Sequence, residues 1–246
     1  MNSQEDGRSR TTTRMEWSEE IPSEEWRVYQ RVISEAGKRQ LRFALGGAFA
    51  VATYTGRWRN TKDLDFFILP RDREHMVGIL TDLGMRDYYD VLPYDRGWIY
   101  RSHEGDTIVD AIWQMANRRA QVDERWVSGG PEVEVRGERV RVVPPEEIIW
   151  AKIYVMQKDR CDWPDLLNII HATTPSLDWE HLMKRLGADA PLLAGLLTVF
   201  GWLCPDRIPN LPEGVRERLM LSASMFQSQP FQSQPFQSQP NTDRRR

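Results

Sequence analysis

Asp63-Leu64-Asp65 lies seventeen positions after the start of Gly46-Gly47-Ala48, with Arg57 and Thr61 between them and the apolar run Phe66-Phe67-Ile68-Leu69 behind. Side chains two apart on a strand share a face, so the aspartates present their carboxylates side by side while Leu64 turns into the core. Adjacent carboxylates repel, and a hard cation with oxygen ligands relieves this; Mg²⁺ usually binds through one or two carboxylates plus substrate phosphates. Gly46 and Gly47 have no Cβ to block a phosphate, and the amides of a following helix would face the anion with the helix dipole behind them. An ordinary tight turn is the alternative for the glycines, and the aspartates favour the phosphate. Together these residues imply a nucleotide and divalent-metal site.

Asp110 is a third acid, set in the apolar run Thr107-Ile-Val-Asp-Ala-Ile-Trp113. An unpaired carboxylate there would cost several kcal/mol of desolvation. It either completes a three-carboxylate metal site with Asp63 and Asp65, the favoured reading, or sits at a strand end or against an arginine. As third acid, Asp110 is the candidate proton acceptor for an acceptor hydroxyl. Arg57 is placed to contact phosphate or brace Asp63, with a surface salt bridge as the alternative. Thr61 either hydrogen-bonds phosphate or caps the turn into the strand. Lys152 lies in the apolar helical run Glu147-Ile-Ile-Trp-Ala-Lys-Ile-Tyr-Val-Met156, so its ammonium must snorkel outward or meet an anion, and Arg160, eight residues on, is read on a similar face. Asp162-Trp163-Pro164-Asp165 has the form of a helix start, with Asp162 mainly a cap and Asp165 kept as a secondary site residue.

The elements that must position these groups follow from periodicity. Trp26, Tyr29, Val32 and Ile33 recur at helical spacing from Ser23 to Ala36. Leu41 to Leu45 reads as a short strand, Ala48 to Tyr54 as a helix stopped by Gly56, and 72 to 83 as another helix. Gly97 to Arg101 and Thr107 to Trp113 form strands around a His103-Glu104-Gly105-Asp106 turn, and a second, peripheral hairpin turns at Gly137. Pro144-Pro145-Glu146-Glu147 starts strand-free helical sequence. The expected organisation is a disordered 1–14, an α/β domain at 15–143, a helical domain at 144–222, and a disordered tail at 223–246 built on three Phe-Gln-Ser-Gln-Pro repeats.

The 246 residues carry a net charge of −3, which argues against gripping nucleic acid by bulk electrostatics. Two unrelated cysteines imply neither disulfide framework nor zinc knuckle, and the start of the chain has no apolar signal segment, so the cytoplasm is the expected compartment. The apolar run Pro191–Cys204 falls short of the roughly 20 residues that span a bilayer, so no membrane partner is expected. The four histidines show no metal-ligand spacing, and no Gly-x-Ser-x-Gly motif supports a covalent nucleophile.

Gly46-Gly47, Arg57, Thr61, Asp63-Leu64-Asp65 and Asp110 resemble the signature of the DNA-polymerase-β-like nucleotidyltransferase superfamily, over roughly residues 40 to 170. The helix before Asp63 and the helix bearing Lys152 are similar to those of nucleotidyltransferases from abortive-infection and toxin–antitoxin systems. The resemblance implies an α+β (α/β) nucleotidyltransferase fold, a mixed sheet flanked by helices, ahead of the helical C-terminal domain. It implies NMP transfer from an NTP to an acceptor hydroxyl with release of pyrophosphate. Two Mg²⁺ ions would be held by Asp63, Asp65 and Asp110; Gly46, Gly47, Arg57, Thr61, Lys152 and Asp165 would serve the nucleotide. The acceptor stays open between tRNA, a protein and a small molecule, and a cognate antitoxin is the partner that the subgroup implies. A catalytically weak nucleotide-binding or partner-interaction module is the alternative, and the intact three acids count against it.

Overall fold

The computed structural model describes residues 13–220; the first twelve residues and the repeats of the expected tail lie outside the described residues. The chain runs β1 (Thr13–Arg14), α1 (Ser23–Lys38), β2 (Phe43–Leu45), α2 (Gly47–Thr55), β3 (Asp63–Ile68), α3 (Arg73–Asp82), β4 (Arg86–Asp87), β5 (Ile99–Glu104) and β6 (Thr107–Ile112). It continues through α4 (Glu124–Ser128), β7 (Glu132–Val135), β8 (Glu138–Arg141), α5 (Pro145–Lys152), α6 (Trp163–Thr173), α7 (Trp179–Leu186), α8 (Ala190–Leu203) and α9 (Glu213–Arg218). The mixed, helix-flanked architecture is the one the sequence predicts.

Local signals explain most boundaries. Pro22 stands at the cap position of α1 with φ −54°, already helical in φ, and no side chain caps that end. Tyr29, Val32, Ile33 and Ala36 then bury one stripe of the helix. Gly56 closes α2 in the left-handed conformation, φ 68°, with its N–H donating to the Ala52 carbonyl. Arg136 and Gly137 both have positive φ, which is the backbone a two-residue turn between β7 and β8 requires.

A five-stranded sheet in the order β2-β3-β6-β5-β4 forms the centre. β3 and β6 are parallel and the other pairs antiparallel, with Asp65 opposite Asp110 and Asp110 opposite Arg101. Alternation therefore sends Leu64, Phe66, Ile68, Val109 and Ala111 to one face, where all five are fully buried. α1 and α3 contact β6 and each other. The opposite face carries Asp63, Asp65, Phe67, Asp110, Ile112 and Arg101. Its apolar half is closed by Trp126 of α4, stacked on Phe67 at 5.1 Å between ring centroids.

Two expectations are corrected. Thr13 and Arg14, expected to be disordered, pair in parallel with Val133 and Glu134 of β7, so the hairpin of β7 and β8 becomes a three-stranded sheet. The chain also divides into compact units after Arg185, not at residue 143. The reason is burial: Ile148, Ile149, Trp150 and Ala151 of α5 are all buried, α6 packs on α2 as well as on α5, and the Val143 N–H donates to the Leu45 carbonyl at 3.0 Å. A helix-rich composition after Pro144 marks a change of secondary structure and not a change of core.

The second unit holds α8, with Leu193, Leu196, Leu197 and Phe200 buried and Val199 and Trp202 exposed, and then α9. Counted together with α7, the helical stretch Trp179–Leu203 is 25 residues, long and apolar enough to cross a membrane by length and composition, whereas the run 191–204 alone is expected to be too short. Core helices of soluble proteins can be as long and as apolar, and Glu180, Lys184, Arg185 and Asp189 lie within this stretch.

A chain ending at Val143 is expected to show no cooperative thermal transition by near-UV circular dichroism. Each of Ile148, Ile149 and Trp150 contributes about 1.5–3 kcal/mol by burial. Their joint loss is comparable with a whole domain's stability of about 5–15 kcal/mol.

Candidate active site

The three acids meet on the face of the central sheet opposite Leu64, Phe66 and Val109. Asp63 and Asp65 come from β3 and Asp110 from the parallel neighbour β6, and ligand oxygens of all three lie within 4.8 Å of one another. Three hard oxygen donors at that separation suit a divalent cation such as Mg²⁺. Asp110 is 1 % exposed, whereas Asp63 and Asp65 are half-buried. Burial raises the Asp65 carboxyl well above the usual carboxylate range, to about 8, and the charges of Asp63 and Asp110 push it the same way. Burial also raises Asp110, against the pull of the Arg101 guanidinium. Thr61 donates its hydroxyl to Asp63 Oδ1, so it orients that acid.

Asp110 is not a free carboxylate. Arg101, directly across on β5, grips it with two bonds, Nε to Oδ1 at 2.8 Å and Nη2 to Oδ2 at 2.5 Å, and stands 3.9 Å from Asp63. The arginine partner left open by the sequence is therefore present together with the triad. The pair holds Arg101 more firmly protonated than usual, first through the hydrogen bonds to Asp110. Arg101 was missed from sequence, yet a signal existed. A two-residue turn at Gly105-Asp106 pairs Glu104 with Thr107, and counting outward brings Arg101 opposite Asp110.

The glycines have a more local reason than phosphate approach. A Cβ on Gly46 would lie 2.1 Å from the Phe67 ring, and one on Gly47, where φ is +52°, would lie 1.8 Å from Asp65 Oδ2. Gly47 thus admits the Asp65 carboxylate against the first turn of α2. A cavity of about 560 Å³ opens over the acids, lined by Gly47, Thr61, the triad, Arg101 and Lys152, with Trp98, Met115 and Trp126 on its apolar side. Trp58, near the acids in sequence, instead stacks on Trp17 at 5.2 Å.

The remaining predicted groups distribute unevenly. Arg57 is exposed and does not line the cavity; Arg59, unnoticed in the sequence, does, and it pairs with Asp165 at 3.6 Å. Lys152 meets anions as its apolar surroundings require, but these are the chain's own: Asp162 at 2.8 Å and Asp165 at 3.2 Å. Asp162 occupies the cap position of α6 without capping it, because its carboxylate is taken by Lys152 and Arg160. It lines the cavity, whereas Asp165 does not, which reverses the expected ranking of the two. Arg160 is not a helical i+8 neighbour of Lys152, because α5 ends at Lys152 and a loop with a Met156–Cys161 bridge follows.

Residues 43–203 match a protein family described as uncharacterised nucleotidyltransferase. No curated protein sequence matches the chain. Among solved structures, the antibiotic-resistance factor ANT(2'')-Ia is similar in fold, at 23% identity and a TM-score of 0.51 over 72% of this chain and 97% of that one. The lincosamide antibiotic adenylyltransferase LnuA matches at 15% identity and a TM-score of 0.43, covering 61% and 96% of the two chains. A putative nucleotidyltransferase from H. pylori matches at 14% identity and a TM-score of 0.40, covering 82% and 93%. With the match running from β2, through all three acids and Lys152, to the end of α8, the chain belongs to this family of nucleotidyltransferases.

Proposed function

We propose that the protein transfers a nucleoside monophosphate from an NTP to the hydroxyl of a small-molecule acceptor, with release of pyrophosphate. The observation that carries this reading is the convergence of Asp63, Asp65 and Asp110 from two parallel strands at the floor of a cavity that begins at α2. The acids would hold Mg²⁺, two ions by analogy with the superfamily, and bound metal supplies neutralisation of the triphosphate and of the charge that develops on the attacking and leaving oxygens.

The chain's own groups perform the rest. Asp63 is oriented by the Thr61 hydroxyl, and Asp65 lies against the first turn of α2 because Gly47 leaves room for its carboxylate. Asp110, once released from Arg101, accepts the proton of the acceptor hydroxyl as that oxygen attacks the α-phosphorus and the bond to pyrophosphate breaks. Lys152, on the cavity wall, moves from Asp162 and Asp165 to the triphosphate. Trp98 and Trp126 provide the apolar wall and exclude water.

A small acceptor is favoured over tRNA. The cavity falls within the roughly 300–1,000 Å³ typical of small-molecule sites. Each of its four lining cations among the described residues, Arg59, Arg101, Lys152 and Arg160, is ion-paired with an acid, so the described cavity wall offers a phosphate backbone no run of unpaired positive charge.

Asp63→Asn and Asp65→Asn are expected to abolish NTP turnover and Mg²⁺-dependent NTP binding by calorimetry while leaving the melting temperature unchanged or higher, since each puts a neutral amide of the same shape in place of a carboxyl that, when ionised, repels its neighbours. A large drop in melting temperature with activity retained would remove these residues from the site.

The raised Asp65 acid gives a pH signature. Its protonated form is the one the metal-free fold favours, so that contribution is complete below the ordinary carboxylate value of 3.8 and is lost as pH rises through about 8. In EDTA the melting temperature should fall between pH 5 and pH 8.5, set around that window. Mg²⁺ should flatten the fall, because the ion takes the ionised form, and Asp65→Asn should remove it.

A further inference from the structure

On the reading that this site takes a divalent metal, we propose that Arg101 is a displaceable counter-ion: the metal takes Asp110 from the guanidinium, which moves onto the face of Tyr88. Arg101 is thus a positioning residue that holds the third acid aligned until the ion arrives.

Both oxygens of Asp110 accept from this one side chain, at 2.8 and 2.5 Å. A cation that uses Asp110 together with Asp63 and Asp65 must sit among oxygens 4.8 Å or less apart, with the guanidinium still touching the same carboxylate. A divalent ion and a guanidinium at that range repel, and the buried carboxylate offers little solvent to screen them. Leaving Asp110 with neither cation is equally unfavourable, because its side chain is 2 % exposed. The arrangement therefore favours exchange of one cation for the other over coexistence or a bare acid. Among the described residues, no other cation forms an ion pair with the triad.

The destination is already adjacent. The Arg101 Cζ lies 5.8 Å from the centroid of the Tyr88 ring, within cation–π reach, and the His103 ring meets Tyr88 edge-on at 5.5 Å. The Arg101 backbone does not need to move: its N–H donates to the Tyr94 hydroxyl at 3.0 Å, so the exchange is a rotation of the side chain alone.

The test is Mn²⁺ binding to the metal-free full chain without nucleotide, followed by electron paramagnetic resonance at pH 8. Arg101→Met is expected to bind Mn²⁺ about tenfold tighter than wild type, because no competing bidentate pair has to be broken, with Arg101→Lys in between. Equal or weaker binding by a cooperatively melting Arg101→Met overturns the proposal while leaving the metal site standing. Failure of both wild type and variant to bind Mn²⁺, as expected only of Asp63→Asn/Asp65→Asn, overturns the metal reading and this inference with it. A second measurement needs no destabilised variant: the Nε–H resonance of wild-type Arg101, assigned by its loss in Arg101→Lys, should leave its hydrogen-bonded position as Mg²⁺ is added. A resonance that stays in place while Mg²⁺ binds overturns the exchange.

Discussion

Like-charge repulsion among Asp63, Asp65 and Asp110 is the constraint around which the first unit is arranged. Carboxylates on neighbouring strands of a half-buried sheet face do not coexist without a counter-charge or a proton. Arg101 provides the first, and the raised Asp65 acid shows the second. The apolar face behind the acids, with Leu64, Phe66, Ile68, Val109 and Ala111 fully buried, holds the strands that carry them against this repulsion. Burial of that face stabilises the fold enough to keep three acids in register.

The same logic extends outward from the triad. Lys152 is satisfied by Asp162 and Asp165, and Arg59 and Arg160 share those acids. Each of the four cations lining the cavity is therefore already paired with an acid, and on the proposed function a magnesium nucleotide would bind by replacing those partners. Such a site discriminates by exchange: only a ligand that presents both cation and anion in the right places can compensate both halves of the broken pairs. Farther from the cavity, buried Glu147 likewise accepts from the Arg185 guanidinium, with the His181 ring beside the same oxygen, at the junction of α5 and α7.

Much of this was legible in the chain. Two aspartates at spacing two, preceded by a Gly-Gly turn and helix and followed by an unbroken apolar run, read as a strand with both carboxylates on one face, and β3 is that strand. Gly56 could be read as a helix stop and Pro144-Pro145 as a helix start, and both are so placed. Misreadings arose where one residue type served two purposes. The apolar run after Glu147 reads as helix through Met156, whereas α5 ends at Lys152, because the last helical turn and the loop after it share one apolar composition. Asp162 has the position of a cap, but an ammonium and a guanidinium compete for its carboxylate more strongly than backbone amides do.

The sequence by itself determined the acids, their shared face and the glycine turn before them, because these depend on residue type and on short-range periodicity, and the same motif carries the resemblance to nucleotidyltransferases that the family match bears out. Tertiary structure decided the partners: Arg101 on Asp110, Arg59 in place of Arg57 at the cavity, Lys152 between two aspartates, and α5 inside the first core. Each is a contact between residues distant along the chain or on separate strands, fixed by sheet register and helix packing. Local preference constrains φ and ψ residue by residue, whereas the choice among several chemically equivalent arginines and aspartates is made only when strands and helices come together in three dimensions.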